Sequence, residues 1–132
     1  MIDKLAWLRI ENGAVLTARS RHRDRYYLPG GKREAGETDH AALAREIREE
    51  LRVDLLPATL QHVGDFQAQA HGQAAGTVVR MRCFTGDYTG ELTPAAEIEE
   101  IAWLTYADRG KVSEVTAHIF DFLHAQGLLR EG

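Results

Sequence analysis

Residues 31–53 read GKREAGETDHAALAREIREELRV, and the rest of the chain is best read outward from them. Glu37 stands six residues after Gly31, Arg45-Glu46 follow eight residues later, and Glu49-Glu50 lie one helical turn further on. Thr38 is a good N-cap, and residues 39–51 contain no Gly or Pro, so a helix is predicted there. Set at 100° per residue, Glu46, Glu49 and Glu50 fall within roughly 100° of arc. Leu43, Ile47 and Leu51 make an adjoining apolar stripe that should pack on a sheet. Arg45 and Arg48 project to the remaining side. The carboxylates then border a buried face and repel one another unless something positive sits among them. A divalent cation, with a phosphate chain as its partner, fits that requirement. Taken alone, REIREE also suits a solvated, salt-bridged helix, with Arg45 and Glu49 as an i,i+4 pair. The glycine pair and Glu37 at fixed upstream distances favour the ion site.

Outward from this stretch, residues 4–10 read as a strand, Asn12-Gly13 as a hairpin turn and residues 14–18 as the returning strand. Residues 19–25 form a basic loop. Tyr26-Tyr27-Leu28 is a short strand stopped by Pro29-Gly30-Gly31. Residues 54–58 are a connection. Strands are expected at 60–70 and 77–87, joined by the turn HGQAAG, then a loop at 88–96 and a strand at 98–104. Residues 107–112 are a turn or short helix. Residues 114–129 are helical, with Val115, Ile119, Phe122 and Leu123 near one face. Strands, helix, strands and helix in that order predict an α/β domain, a mixed sheet with helices on both faces.

The chain's 132 residues and 44% hydrophobic content suit one domain spanning 1–132. A net charge of −4 gives no general attraction to nucleic acid. The N-terminus lacks the pattern of a signal peptide, and no apolar run is long enough to span a membrane. Cys83 is the single cysteine, so no intrachain disulfide can form; it reads as a small buried apolar group. These features lead to an expectation of a cytoplasmic protein.

The stretch resembles the Nudix box, Gly-x5-Glu-x7-Arg-Glu-apolar-x-Glu-Glu-x-Gly-apolar. Its positions here are Gly31, Glu37, Arg45, Glu46, Ile47, Glu49, Glu50 and Val53. The preceding LPGGK and the later EIEEIAWL are also similar to that family. The resemblance implies a Nudix-type α/β/α sandwich around a mixed sheet. It implies a MutT-like enzyme that uses Mg²⁺ or Mn²⁺ to cleave a nucleoside triphosphate, or a related nucleoside diphosphate linked to a group X. Glu49 and Glu50 would be the principal metal ligands, and Glu46 a second-metal ligand or the base. The Gly30 carbonyl would complete the shell, Glu37 would support it or brace the loop, and Arg45 would orient a glutamate by ion pairing. One position departs from the pattern. Arg52 stands where the box has a glycine just past the helix end, so the turn either carries a strain of about 1 kcal/mol or closes differently.

The family commonly adds a carboxylate from outside the box. Glu97, Glu99 and Glu100 are the choices; Glu97 is favoured by its distance before Trp103, with Glu100 second. Strand alternation puts Glu97 and Glu99 on the face opposite Ile98 unless a bulge intervenes. Arg19, Arg21, Arg23 and Arg25, with His22, could clamp phosphates or simply form a solvated loop. Tyr27, Tyr26 or Trp7 could stack on a base. His40, His62 and His71 show no zinc-ligand spacing, and there is no Walker-type loop. The expected partner is a small nucleotide, with monomer and homodimer both open. Rival readings are a nucleotide-binding regulator without turnover, an enzyme acting on RNA 5′ ends, and a nucleoside diphosphate sugar (ADP-ribose) pyrophosphatase.

Overall fold

A computed structural model describes residues 1–70 and 73–132. The expected HGQAAG turn includes His71 and Gly72, which lie outside the described residues. The elements in chain order are β1 (Ile2–Trp7), β2 (Ile10–Glu11), β3 (Ala14–Ser20), β4 (Gly30–Gly31), α1 (Asp39–Leu51), β5 (Asp54–Leu55), β6 (Gln61–Gln69), β7 (Val78–Thr85), β8 (Tyr88–Thr89), β9 (Ile98–Leu104) and α2 (Glu114–Ala125). Two 3₁₀ turns, Pro57–Thr59 and Tyr106–Lys111, complete the set. One sheet runs β4-β1-β7-β6, with β1 parallel to β7 and the other pairs antiparallel. A second runs β2-β3-β9, and β5 pairs with β8.

The core explains why β1 reads as an almost continuous apolar run. Leu5 and Trp7 pack with Leu43, Ile47 and Leu51 of α1, together with Leu16 of β3 and Phe84 of β7. Ala6 and Leu8 point the other way, into Val115, Ile119, Phe120 and Leu123 of α2, with Val15, Met81 and Cys83. Neighbouring strand residues thus serve opposite cores, as sheets covered on both faces require. Leu43, Ile47 and Leu51 are fully buried, and each contributes about 2 kcal/mol of apolar transfer energy. The mixed sheet flanked by helices agrees with the expected architecture.

Local signals were specific where turn or cap chemistry is strong. Helix α1 covers 39–51 with the Thr38 side chain accepting from the Ala41 N–H at 3.1 Å. Asn12 and Gly13 have φ of 53° and 75°, the left-handed pair of a tight hairpin. Strand 98–104 stands as expected. Corrections fall on short or frayed pieces. Helix α2 ends at Ala125 rather than 129, because Gly127 takes φ 74° and the chain turns. Phe120, not Phe122, is the fully buried aromatic of that helix. Tyr26 and Tyr27 make isolated bridges to Val112 and Ala18 instead of a strand. The supposed connection at 54–58 and loop at 88–96 hold the paired β5 and β8.

Arg52 is left-handed, with φ 59° and ψ 30°, and its N–H donates to the Arg48 carbonyl at 3.1 Å. The strained alternative is therefore the one adopted. The helix end is held from outside: Thr93 N–H donates to Leu51 O and Ala95 N–H to Glu50 O, each at 2.9 Å. These bonds satisfy carbonyls that the helix itself leaves open.

Candidate active site

The site grows from the Pro29-Gly30-Gly31 corner. β4 pairs with β1 so that Gly31 faces Leu5 and Gly30 faces Ala6. Gly30 has φ 152°, and a Cβ there would lie 2.0 Å from the Leu5 carbonyl oxygen, so no other residue fits. A Cβ on Gly31 would lie 2.4 Å from the Glu46 carboxylate carbon. The missing side chain is what lets Glu46 lie against bare backbone. One turn on, Glu50 is 6% exposed and accepts the Gly30 N–H at 3.0 Å.

Glu97 completes the acidic end from the opposite sheet. It follows Ala96, which takes φ 52°, and enters β9 through a turn braced by the basic loop. Arg21 N–H donates to the Glu97 carbonyl at 2.8 Å, and its guanidinium to the Ala96 carbonyl at 2.7 Å. A bulge between Arg19 and Ser20 breaks the strand alternation. Glu99 and Glu100 consequently both meet Arg19, at 2.7 and 3.0 Å, while Glu97 turns into the cleft. The expectation that Glu97 and Glu99 share a face is corrected by that bulge.

Glu46, Glu50 and Glu97 line one cavity of about 420 Å³ together with Gly30 and Gly31. Burial pushes the Glu50 carboxyl up to about 8, against an ordinary 4.5, with the Glu97 and Glu46 charges adding to the rise. Burial likewise raises Glu46, partly offset by Arg45. Glu49 is not in this cavity; its carboxylate is half-exposed and bound to Arg45 at 2.9 Å.

Arg45 is the positive group among the remaining acids, not a side chain projecting away from them. Its guanidinium donates to both Glu37 oxygens at 2.8 and 2.9 Å, to Glu46 and Glu49 at 2.9 Å, and to the Lys32 carbonyl at 3.1 Å. The bidentate bond to Arg45 holds the Glu37 carboxyl down at about 2. Glu37 also accepts the Glu34 N–H at 2.8 Å, so it braces the loop ahead of α1. Among the described residues, no three acidic or imidazole side chains stand close enough, as placed, to hold an ion. The donor chemistry nevertheless suits a hard divalent cation. Glu46, Glu50 and Glu97 offer carboxylate oxygens in one cleft, and buried Glu50 faces like charges there that a cation would offset. The residues that could hold such an ion are these three, with Glu49 and the Gly30 carbonyl beside them.

The cleft changes character along its length. Along β1, Ala6 faces Gly30, which binds Glu50; Lys4 comes next, opposite Met81, and Ile2 lies beyond it, opposite Val79. Arg23, Lys32, Tyr27, Ile98 and Val115 also line the cleft. Of the four arginines proposed as a phosphate clamp, Arg23 lines the cleft. Arg19 is held by Glu99 and Glu100, Arg21 by the turn at Ala96, and Arg25 donates to the Gly110 carbonyl at 2.7 Å. Of the aromatics, Tyr27 lines the cleft; Trp7 is core, and Tyr26 donates to Glu100 at 2.9 Å. Lys4 and Lys32 were not singled out from sequence. The available signal was a lysine on the strand parity that otherwise feeds the α2 core.

Known proteins resemble this chain in sequence and in fold. The NUDIX domain family model matches residues 5–125. The Mycobacterium tuberculosis protein named "Putative 8-oxo-dGTP diphosphatase 2" is 35% identical over 98 residues, covering 69% of this chain and 68% of that protein. In fold, the chain is similar to the Escherichia coli ORF135 protein, with TM-score 0.74 and 24% identity, covering 96% of this chain and 91% of that one. It is also similar to the MutT protein of Methanosarcina mazei Go1, with TM-score 0.75 and 20% identity, covering 96% and 94%. No helix among the described residues is long and apolar enough to cross a membrane. A cleft built on a glycine corner and a carboxylate helix, inside a domain matched almost end to end, identifies this chain as a member of the NUDIX family, a Nudix hydrolase.

Proposed function

We propose that the chain is a Mg²⁺- or Mn²⁺-dependent pyrophosphohydrolase that cleaves a nucleoside triphosphate to the monophosphate and pyrophosphate, a related nucleoside diphosphate-X being the wider class. One observation carries the reading: a buried Glu50 carboxylate, tied to the Gly30 N–H, shares with Glu46 and Glu97 a cleft of about 420 Å³ that is also lined by Ile2, Tyr27, Val79 and Met81. A bound divalent ion would neutralise phosphate oxygens and lower the pKa of a water. The chain's own part is to place oxygens and exclude solvent. Glu50 and Glu49 would be the principal ligands, Glu49 by turning its carboxylate from Arg45 toward the cleft, with Glu46 and Glu97 beside them, and Glu46 would double as the candidate base. Arg45 keeps Glu46, Glu49 and Glu37 in fixed positions. Arg23 and Tyr27 border the path that the nucleotide takes.

The name of the Mycobacterium tuberculosis relative makes 8-oxo-dGTP the first substrate to try. A phosphate- and pyrophosphate-release screen should cover canonical, oxidised and sugar-linked nucleotides with Mg²⁺ and Mn²⁺. Glu49→Gln and Glu50→Gln should each lose several orders in kcat while staying folded. Turnover like the wild type in both variants ends the assignment. Nucleotide binding without turnover across the whole panel supports the regulator reading instead.

A further inference from the structure

Lys4 lines the cleft but has no part in the proposed chemistry. It lies on β1 opposite Met81 of β7, on the strand parity that Ala6 and Leu8 use to enter the α2 core. An ammonium there stands where an apolar group would pack. Its charged neighbours are Lys32, Glu50, Arg23 and Glu46, so both signs face it, yet it makes no ion pair or hydrogen bond with any described residue. Along β1 it stands between Ala6, which faces the Gly30 that binds Glu50, and Ile2, which pairs with Val79. Burial and the nearby Lys32 and Arg23 charges disfavour the ammonium, and no carboxylate among the described residues pairs with it, so an anion meeting it there gains free energy.

Resting on the nucleotide reading above, we infer that Lys4 binds the phosphate that stays attached to the nucleoside, at the junction between the acidic end and the apolar end of the cleft. Its position decides the ligand chemistry. The pyrophosphate to be released belongs beside the carboxylates, and the sugar and base belong among the apolar side chains. The group that bridges them is the first phosphate, which a lysine reaches as a point charge with three donors. Charge-assisted hydrogen bonds of this kind carry tenfold to a hundredfold in affinity.

The test is calorimetric binding of the four deoxynucleoside monophosphates and their free nucleosides, with EDTA present so that the Lys4 contact is read without metal. Lys4→Met should weaken the bound monophosphate tenfold to a hundredfold and leave the nucleoside unchanged. Lys4→Arg should recover most of the loss. Thermal stability of Lys4→Met should be equal to or above the wild type, because a buried repulsion is removed; a structural role would lower it. Wild-type affinity in Lys4→Met, or a parallel loss for the free nucleoside, overturns the inference. If the wild type turns over triphosphates and Lys4→Met does so with unchanged KM, this inference alone fails. If the wild type neither binds monophosphates nor turns over any nucleotide, the functional reading fails with it.

Discussion

Replacing Arg52 by glycine should stabilise this protein without touching its cleft. Arg52 follows the last turn of α1 at φ 59°, and its N–H closes the helix on Arg48. An L-residue in that conformation costs about 1–2 kcal/mol. Glycine removes this cost but brings a more flexible unfolded chain, worth about 0.5–1 kcal/mol against it. The net gain is therefore about 0.5–1 kcal/mol. For 132 residues the unfolding entropy is about 0.3 kcal/mol per kelvin, so Tm should rise by ~3 °C. The Arg52 side chain is exposed and makes no hydrogen bond or ion pair with any described residue, so little else is lost. Urea and thermal unfolding of Arg52→Gly, with Arg52→Ala as control, measure the effect. Alanine keeps the left-handed strain and should stay within about 0.5 kcal/mol of the wild type. A glycine variant no more stable than the alanine variant would mean that the backbone at residue 52 is unstrained.

Two further outcomes follow from the cleft. With chelator present, Glu50 is a carboxyl whose folded pKa, about 8, lies above its ordinary 4.5. Its contribution to stability is present below pH 4.5 and is lost as pH rises through 8, amounting to about 3 kcal/mol by pH 7. Glu50→Gln should remove this pH dependence, being more stable than the wild type at pH 8 and similar at pH 5; equal pH profiles in urea unfolding would contradict it. Arg45→Met leaves Glu37, Glu46 and Glu49 without their shared cation, two of them with side chains no more than about a fifth exposed. It should cost about 2 kcal/mol in unfolding free energy, with Arg45→Lys recovering only part because the bidentate bond to Glu37 is lost; stability equal to wild type in both variants would be the contrary result.

What could be read from sequence was what local chemistry determines. The α1 boundaries, its Thr38 cap and the Asn12-Gly13 turn were legible because capping and left-handed turn geometry each admit few residue types. The box spacing likewise placed Glu46 and Glu50 at the edge of a buried stripe, where the structure has them. The distance before Trp103 favours Glu97, and the structure does place it in the cleft, but that distance is not what turns it there. Its orientation depends on a bulge at Arg19/Ser20, which is a property of two paired strands and not of either one. Long-range pairing was invisible for the same reason. The parallel contact of β1 with β7 joins residues more than seventy positions apart and sets Lys4 beside the cleft. Arg45 shows how rotation alone misleads: the helical wheel turns it away from the acids, but its long side chain folds back across Glu46 and Glu49 to Glu37. Three of the four loop arginines went to backbone carbonyls and strand glutamates, because a charged loop satisfies its neighbours before any ligand arrives.

The most direct measurement is Mn²⁺ uptake, followed by electron paramagnetic resonance and calorimetry, with a non-hydrolysable nucleoside triphosphate analogue present. The wild type should take up Mn²⁺, and Glu46→Gln and Glu50→Gln should each weaken that uptake at least tenfold while remaining folded. Failure of the wild type to bind Mn²⁺ with nucleotide present, or unchanged affinity in both variants, would show that these carboxylates hold no metal.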